Sequence, residues 1–250
     1  MPLRSSRQYG SIAAALIVSV LLPVRALAQT PSPIERLLPG SALLTAPKTA
    51  DESQVWQVSR RKGGDTTETR FGQVTRTAHP AAERGVLQIT STWAPPFSSI
   101  DTATIALHDL SPVAEMLSYG GAVRRYQYHG RVVTGTVVKG DSAPREVHDT
   151  FPEPVFAFDE VETLARALPF RKGLTVVAPL FSEADEKVEH DTFTVVGTMK
   201  STAAEPVWVI EFADPAIVTR YFVGTRTRRI LNAETKQRQG GAILRYVPIG

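Results

Sequence analysis

The strand-like segments of this chain lie close together, and their spacing constrains the fold more than any other feature. Short runs rich in β-branched and aromatic residues recur along the chain, and turns with glycine and aspartate, such as 62–65 and 139–142, separate them. Parallel neighbours need crossover connections of about a dozen residues or more, whereas most of these gaps are shorter. The spacing therefore predicts a mainly β protein built around an antiparallel meander.

The segments fall into two series with one helix between them. We predict strands at 53–60, 68–77, 85–92, 102–109, 114–119, 123–129 and 131–139, and then at 174–181, 191–199, 206–212, 217–224, 229–234 and 242–247. Between the series, Asp159 and Glu162 have the spacing of a capping box, and apolar residues recur at helical intervals up to Pro169. This pattern predicts a helix at about 159–168 with Asp159 as its N-cap.

The first 28 residues have the layout of a secretory signal peptide. Arg4 and Arg7 precede an apolar run at 11–22, and the small residues Ala26 and Ala28 end the segment. A run of 12 residues is shorter than the roughly 20 that span a bilayer, so we predict cleavage after Ala28 and no transmembrane anchor in the product. The chain has no cysteine, which argues against a lipid-modified N-terminus and a disulfide framework. We therefore expect a periplasmic or secreted protein.

Loss of the signal peptide would change the charge of the protein. It would remove three of the 28 basic residues and none of the 25 acidic ones, which leaves a formally neutral chain. Overall charge then gives no reason to expect nucleic-acid binding. In the remainder we distinguish a proline-rich leader at 29–51, with one short helical turn at 34–38, and a single β-rich domain at 52–250.

Several motifs in the second half resemble an uncharacterised family of exported bacterial proteins. The segment 164–173 reads Leu-Ala-Arg-Ala-Leu-Pro-Phe-Arg-Lys-Gly, 208–211 reads Trp-Val-Ile-Glu, and 227–231 reads Thr-Arg-Arg-Ile-Leu. The resemblance covers about residues 110–246 and implies the LolA/LolB-like fold of periplasmic lipoprotein carriers. In that fold a strongly curved antiparallel sheet, an open half-barrel, wraps around helices and can enclose an apolar cavity. We therefore expect such a sheet packed on the one short helix.

No catalytic or metal-binding motif stands out in the sequence. His-Asp pairs occur at 108–109, 148–149 and 190–191, but neighbours on a strand point to opposite faces, so one pair cannot direct both groups at one ion. The chain also lacks an H-E-x-x-H spacing, a G-x-S-x-G elbow and a glycine-rich phosphate loop. We predict no catalytic residue, no metal site and no cofactor. The alternative is an enzyme whose site combines distant histidines: His108, His129, His148 and His190.

Two groups of residues are candidates for binding. Aromatic residues within or beside strands either form ordinary core or line a cavity between sheet and helix: Trp56, Trp93, Tyr126, Phe193, Trp208, Phe212 and Tyr221. Arginines of the closing hairpin either face solvent or contact an anionic partner: Arg220, Arg226, Arg228 and Arg229.

These features lead to two functional hypotheses. The first is a non-catalytic protein of the cell envelope that binds or carries an apolar or lipid-bearing ligand in a cavity under the sheet, with a lipid or lipoprotein as its partner. The alternative is a structural or interaction protein with a filled core, which binds an envelope protein through a sheet edge or through the hairpin of Arg226 and Arg229. The first hypothesis rests on the resemblance in fold.

Overall fold

The structure is a computed structural model of the chain. It describes residues 34–46, 52–81, 85–200 and 205–249. The predicted signal peptide, its cleavage at Ala28 and parts of the predicted leader lie outside the described residues. Strands make up 60% of the structure, and a helical segment of 10 residues packs on one large, curved sheet that does not close. The predicted mainly β fold class is confirmed.

The strands of the described residues are β1 (Ile34–Arg36), β2 (Glu52–Arg61), β3 (Thr69–Pro80), β4 (Val86–Trp93), β5 (Ile100–Ala106), β6 (Pro112–Tyr119), β7 (Ala122–His129), β8 (Val132–Lys139), β9 (Arg145–Thr150), β10 (Phe156–Ala157), β11 (Thr175–Ser182), β12 (Lys187–Met199), β13 (Val207–Ala213), β14 (Ile217–Gly224), β15 (Ile230–Gln237) and β16 (Ile243–Pro248). A 3-10 turn (Phe158–Glu160) and the helix α1 (Val161–Ala167) separate β10 from β11.

The sheet consists of two antiparallel meanders joined side by side. Strands β2 to β9 pair in sequence order, and so do β11 to β16. The last strand then pairs antiparallel with β2, placing Ile243 opposite Arg61 and Pro248 opposite Trp56. At one end of the sheet lies β9, and at the other lies β11, with the short strands β1 and β10 parallel to it.

The sequence pattern located most of the strands but missed three short ones. Each predicted strand overlaps an observed strand, with ends that differ by a few residues. The missed strands are β1, β9 and β10. In β9 only Val147 is buried, so the strand lacks the apolar alternation that identifies the others, and β10 has two residues.

The predicted helical turn at 34–38 is wrong. Ile34–Arg36 forms β1, with Ile34 opposite Thr175 and Arg36 opposite Val177 of β11. Leu37 is buried, and its amide donates to the carbonyl of Val177 at 2.9 Å. Without β1, the peptide groups at 175–177 of β11 would lack strand partners, and the hydrogen bonds made to them stabilise the segment more than one isolated turn of helix would.

The helix is where it was predicted, but its N-terminus is built differently. Glu160, not Asp159, is the N-cap of α1, and no side chain caps the first turn. Asp159 lies within the 3-10 turn, and Glu162 forms an ion pair with Arg76 of β3. Contacts with the sheet thus take the place of the predicted capping box. Among the described residues, no helix has the length and apolar content that a membrane crossing requires.

The apolar core has two parts. The larger part joins the buried face of α1, including Leu164 and Ala167, to strands of both meanders. The smaller part surrounds Phe181 and includes Tyr126 and Tyr128 of β7. The turn at Phe158–Glu160 follows Ala157 of the smaller part and precedes Val161 of the larger part. Polar residues at this turn therefore lie next to the interior.

Candidate functional site

A cavity of about 340 Å³ lies between the sheet and the helical segment. Its walls come from β2 to β5, β13 to β16, the 3-10 turn and α1. The lining residues are Trp56, Val74, Arg76, Ser91, Trp93, Asp101, Phe158, Asp159, Val161, Glu162, Phe212, Ile217, Thr219, Tyr221, Ile230, Ala233, Thr235, Gln237, Leu244 and Tyr246. The volume falls at the small end of the range of about 300–1,000 Å³ typical of ligand pockets.

One side of the cavity is an aromatic wall, formed by Trp56, Trp93, Phe212, Tyr221 and Tyr246. The rings of Trp93 and Tyr246 meet edge to face with centroids 6.2 Å apart, and the ring of Phe212 packs on Phe158 at 6.0 Å. These spacings are in the favourable range for aromatic pairs. Aromatic side chains from both meanders thus hold one another in place along this wall.

The structure brings together four of the seven aromatic residues selected from the sequence. Trp56, Trp93, Phe212 and Tyr221 line the cavity. The other three lie elsewhere. Phe193 is fully buried behind Phe212, Trp208 packs on Phe170 with centroids 5.6 Å apart, and Tyr126 belongs to the smaller part of the core.

An acidic cluster, formed by Glu115, Asp159 and Glu183, adjoins the cavity. One carboxylate oxygen from each residue lies within 4.8 Å of the other two. Asp159 also lines the cavity, as does a further carboxylate, Asp101. Glu115 is 3% exposed and Glu183 is 9% exposed, which is unusual for carboxylates outside metal or ion-pair sites.

Three separate elements position the acidic cluster. Glu115 lies in β6, where it alternates with Leu117 on the buried face, and the hydroxyl of Tyr128 in the neighbouring β7 donates to its Oε2. Asp159 comes from the 3-10 turn before α1. Glu183 follows β11, and its carbonyl accepts a hydrogen bond of 3.1 Å from the hydroxyl of Tyr126.

A glycine makes room for the ring that supports Glu183. Gly135 of β8 lies opposite Tyr126 in the sheet. A Cβ atom on Gly135 would come within 2.1 Å of the Arg125 carbonyl oxygen and 2.7 Å of the Tyr126 ring. The absence of a side chain at position 135 therefore allows Tyr126 to reach the turn that carries Glu183.

Burial dominates the electrostatics of the acidic cluster. It raises the pKa of Asp159 to about 6 and that of Glu183 to about 8, and it raises the pKa of Glu115 well above the ordinary value. Asp101 is affected in the same way, and its pKa is about 7. Repulsion from Asp159 adds to the increase at Asp101, Glu115 and Glu183, because like charges that lie close together disfavour ionisation.

Several oxygens of these acids have no hydrogen-bond partner among the described residues. They are Glu115 Oε1, Glu183 Oε2, Asp101 Oδ1 and both oxygens of the fully buried Glu160. Two arginines offset part of the negative charge. Arg76 lowers the pKa of Asp159, and Arg124 lowers that of Glu183, but burial outweighs both. A buried carboxylate without a partner lowers the stability of the fold, so a proton or a cation bound to this group of acids would stabilise it.

The arginines selected from the sequence contact groups of the same chain. Arg228 lies over the Phe170 ring at 4.1 Å and donates to the carbonyls of Arg166 and Leu168, at the C-terminal end of α1. Arg229 donates to Glu52 at 3.1 Å. Arg228 therefore anchors the helix to the sheet, and Arg229 shares Glu52 with Arg166 of α1. The other two reach acidic partners: Arg220 Nε lies 2.9 Å from Glu211, and Arg226 Nε lies 3.8 Å from Glu205.

The histidines selected from the sequence are exposed and lie outside the acidic cluster: His108, His129, His148 and His190. His108 pairs with its neighbour Asp109, with Nε2 3.2 Å from Oδ2. His190 Nε2 lies 3.0 Å from Glu153, whereas the adjacent Asp191 is buried on the other face of β12. This placement agrees with the alternation expected for a strand.

Comparisons with protein-family models, curated proteins and solved structures found no match for this chain. The resemblance drawn from the sequence therefore stays a prediction.

Sequence reasoning missed the acidic cluster. A signal existed for Glu115, because it occupies an inward position of β6 in the alternation that also buries Leu117. Asp159 was interpreted as a helix cap, and Glu183 lies in a turn between strands, where an acidic residue is usually solvated. For these two residues the sequence offered no comparable signal.

Proposed function

We propose that this chain is an exported, non-catalytic protein of the bacterial cell envelope that binds an apolar or lipid-bearing ligand in the cavity. The observation that carries the proposal is the aromatic wall, which faces about 340 Å³ of space next to buried apolar side chains such as Ile230 and Ala233. Apolar surface of this kind stabilises an apolar ligand by about 25 cal/mol for each Å² removed from water.

The size of the cavity limits the ligand. A volume near the lower end of the usual range suits a small apolar molecule or one chain of a larger lipid. The aromatic rings are held by contacts within the protein, so little side-chain freedom is lost on binding. Export is supported by the signal-peptide layout at 1–28, as argued from the sequence.

The alternative, an interaction protein that uses the arginine hairpin, has less support. Arg228 and Arg229 contact α1 and Glu52, so their replacement would disturb the docking of the helix as well as any partner. We therefore place the ligand in the cavity.

The test is a titration of the purified protein with the neutral apolar dye N-phenyl-1-naphthylamine, whose fluorescence increases in apolar surroundings. Ser91 lines the cavity and is half-buried, so Ser91→Leu places a larger side chain in the cavity. We expect this variant to bind the dye at least tenfold more weakly. Ala114→Phe is the control, because Ala114 is adjacent to the inward Glu115 on β6 and so points to the opposite face.

Native mass spectrometry of the protein as purified from cells provides a second readout. We expect a co-purified apolar molecule, and a lower occupancy in Ser91→Leu than in Ala114→Phe. The proposal is wrong if the unmodified protein neither carries such a molecule nor binds the dye. Equal dye binding by Ser91→Leu and the unmodified protein would also contradict it.

A further inference from the structure

We propose that the acidic cluster of Glu115, Asp159 and Glu183 is a binding site for a divalent cation, with Ca²⁺ as the preferred ion. The first argument is the geometry. Oxygen ligands lie about 2.3–2.6 Å from Ca²⁺, so two ligands on opposite sides of the ion are up to about 5 Å apart. One oxygen from each of the three carboxylates lies within 4.8 Å of the other two, which meets this limit as the structure stands.

The second argument is the unsatisfied state of the oxygens. Glu115 is 3% exposed, and its Oε1 has no hydrogen-bond partner among the described residues, although Tyr128 donates to Oε2. Glu183 Oε2 is also unpartnered at 9% exposure. Side chains this deeply buried rarely leave an oxygen unused, and both belong to the same cluster. A bound cation would satisfy both oxygens together.

The third argument concerns charge and access. The adjacent acids Asp101 and Glu160 add negative charge. Arg76 pairs with Glu162 outside the cluster, and Arg124 offsets only part of the charge of Glu183. Asp159 lines the cavity, so an ion that enters the cavity reaches one of the three carboxylates directly. Ca²⁺ takes six to eight oxygen ligands, so water would supply those that the three carboxylates do not.

The chemistry of the ligands favours Ca²⁺ over other common divalent ions. The three groups supply only oxygen, and they include no histidine or cysteine, the ligands typical of zinc sites. Mg²⁺ requires near-ideal octahedral geometry and usually keeps several of its waters, whereas Ca²⁺ accepts more protein oxygens in flexible geometry and so suits three buried carboxylates better. The inference does not depend on the apolar ligand, because none of the three acids belongs to the aromatic wall.

The experiment is calorimetric titration of the purified, chelator-treated protein with CaCl₂ at pH 8, with thermal unfolding as a second readout. We expect one site with a Kd of about 1 mM or below, the range of extracellular calcium modules, and an increase in Tm.

The variants Glu115→Gln and Glu183→Gln should each weaken Ca²⁺ binding at least tenfold. Asp191→Asn is the matched control, because Asp191 is also buried with an unpartnered oxygen but lies in β12 outside the cluster. Circular dichroism verifies that each variant folds. If Glu115→Gln does not fold, Glu183→Gln decides the question, since Glu183 lies in a turn between strands.

The proposal is overturned if the unmodified protein shows neither heat of binding nor a Tm increase up to about 10 mM Ca²⁺, tenfold above the weakest expected Kd. It is also overturned if Asp191→Asn loses binding as much as Glu183→Gln does. Dye binding that fails while Ca²⁺ binding succeeds would contradict only the proposed function. The reverse result would contradict only the cation site.

Discussion

The aromatic wall and the acidic cluster adjoin the same cavity, yet burial has opposite effects on stability in the two regions. Phe212 is 1% exposed and packs on Phe158 and Phe193, so its burial is favourable by itself. Glu115 is buried almost as deeply, at 3%, but its burial is unfavourable unless a proton or a cation accompanies it. The wall stabilises the protein, whereas the cluster lowers its stability.

This difference indicates where each region acts. An apolar wall contributes to folding whether or not it also binds a ligand. Apolar residues of similar size would stabilise the fold better than a buried acidic cluster does. Its position beside a cavity is therefore the stronger indication of a ligand.

Truncation of the wall should give the largest effect on stability. We expect Phe212→Ala to lower the free energy of unfolding by about 3–5 kcal/mol, because it removes a fully buried ring and leaves a cavity. Chemical denaturation measures the change. Phe222→Ala on the neighbouring β14 is the control, because Phe222 is only partly buried and its truncation should lower the free energy of unfolding less. Equal losses at the two positions would show that the wall is not part of the tightly packed core.

Removal of a single hydroxyl should give a smaller effect at the acidic cluster. Tyr128→Phe keeps the ring but removes the hydrogen bond to Glu115 Oε2, which leaves that oxygen buried without a partner. We expect a loss of about 1–3 kcal/mol, as is typical for an unsatisfied buried polar group. Tyr126→Phe is the matched control, because its hydroxyl donates to a neutral carbonyl at 3.1 Å.

Only the Tyr128 variant should respond to pH. An ionised carboxylate accepts a stronger hydrogen bond than a protonated one, so ionisation of Glu115 makes the missing Tyr128 hydroxyl more costly. The decrease in unfolding free energy caused by Tyr128→Phe should therefore grow as pH rises, whereas that caused by Tyr126→Phe should stay constant. Denaturation of both variants over a series of pH values upward from about 5 distinguishes them, because the pKa of Glu115 lies well above its ordinary value. The same pH response in both would contradict the role assigned to Glu115.

The pH dependence of stability should have the sign set by buried acids. The pKa values of Asp159, Asp101 and Glu183 are raised to about 6, 7 and 8 in the folded protein, against about 4 in an unfolded chain. The folded state then holds more protons than the unfolded state in this window, so these acids make the free energy of unfolding fall as pH rises from about 4 to 8. Arg76 opposes the increase in the pKa of Asp159, and Arg124 opposes that of Glu183.

Glu183→Gln should flatten this dependence. In the presence of a chelator we expect the variant to exceed the unmodified protein in stability at pH 9 by about 1 kcal/mol, because it removes one buried ionisation of the kind that costs about 1.4 kcal/mol per pKa unit. Glu153→Gln is the control, and it should lower stability, because Arg36 holds the pKa of Glu153 below its usual range. Lower stability of Glu183→Gln at pH 9 would mean that the charge of Glu183 is satisfied in the folded state.

The local sequence pattern predicted most of the strands, and some of the candidate aromatic residues line the cavity. The prediction for the strand at 217–224 is exact to the residue, because β-branched and aromatic residues are concentrated there between clear turns. Trp56 and Phe212 are candidates for core or cavity by residue type and strand position, and both line the cavity. Phe193 and Trp208 have the same properties but face other contacts, because the register and curvature of the sheet decide which rings reach the cavity.

The sequence by itself determined most strands of the sheet and the place of the helix. Those properties depend on residues within one or two turns of each other, so a local pattern can specify them. Only the tertiary structure decided that Glu115, Asp159 and Glu183 meet, that Arg228 holds the helix, and that Ile34 begins a strand. Each of these depends on segments distant in sequence, and the burial that changes the chemistry of a carboxylate exists only when those segments pack together.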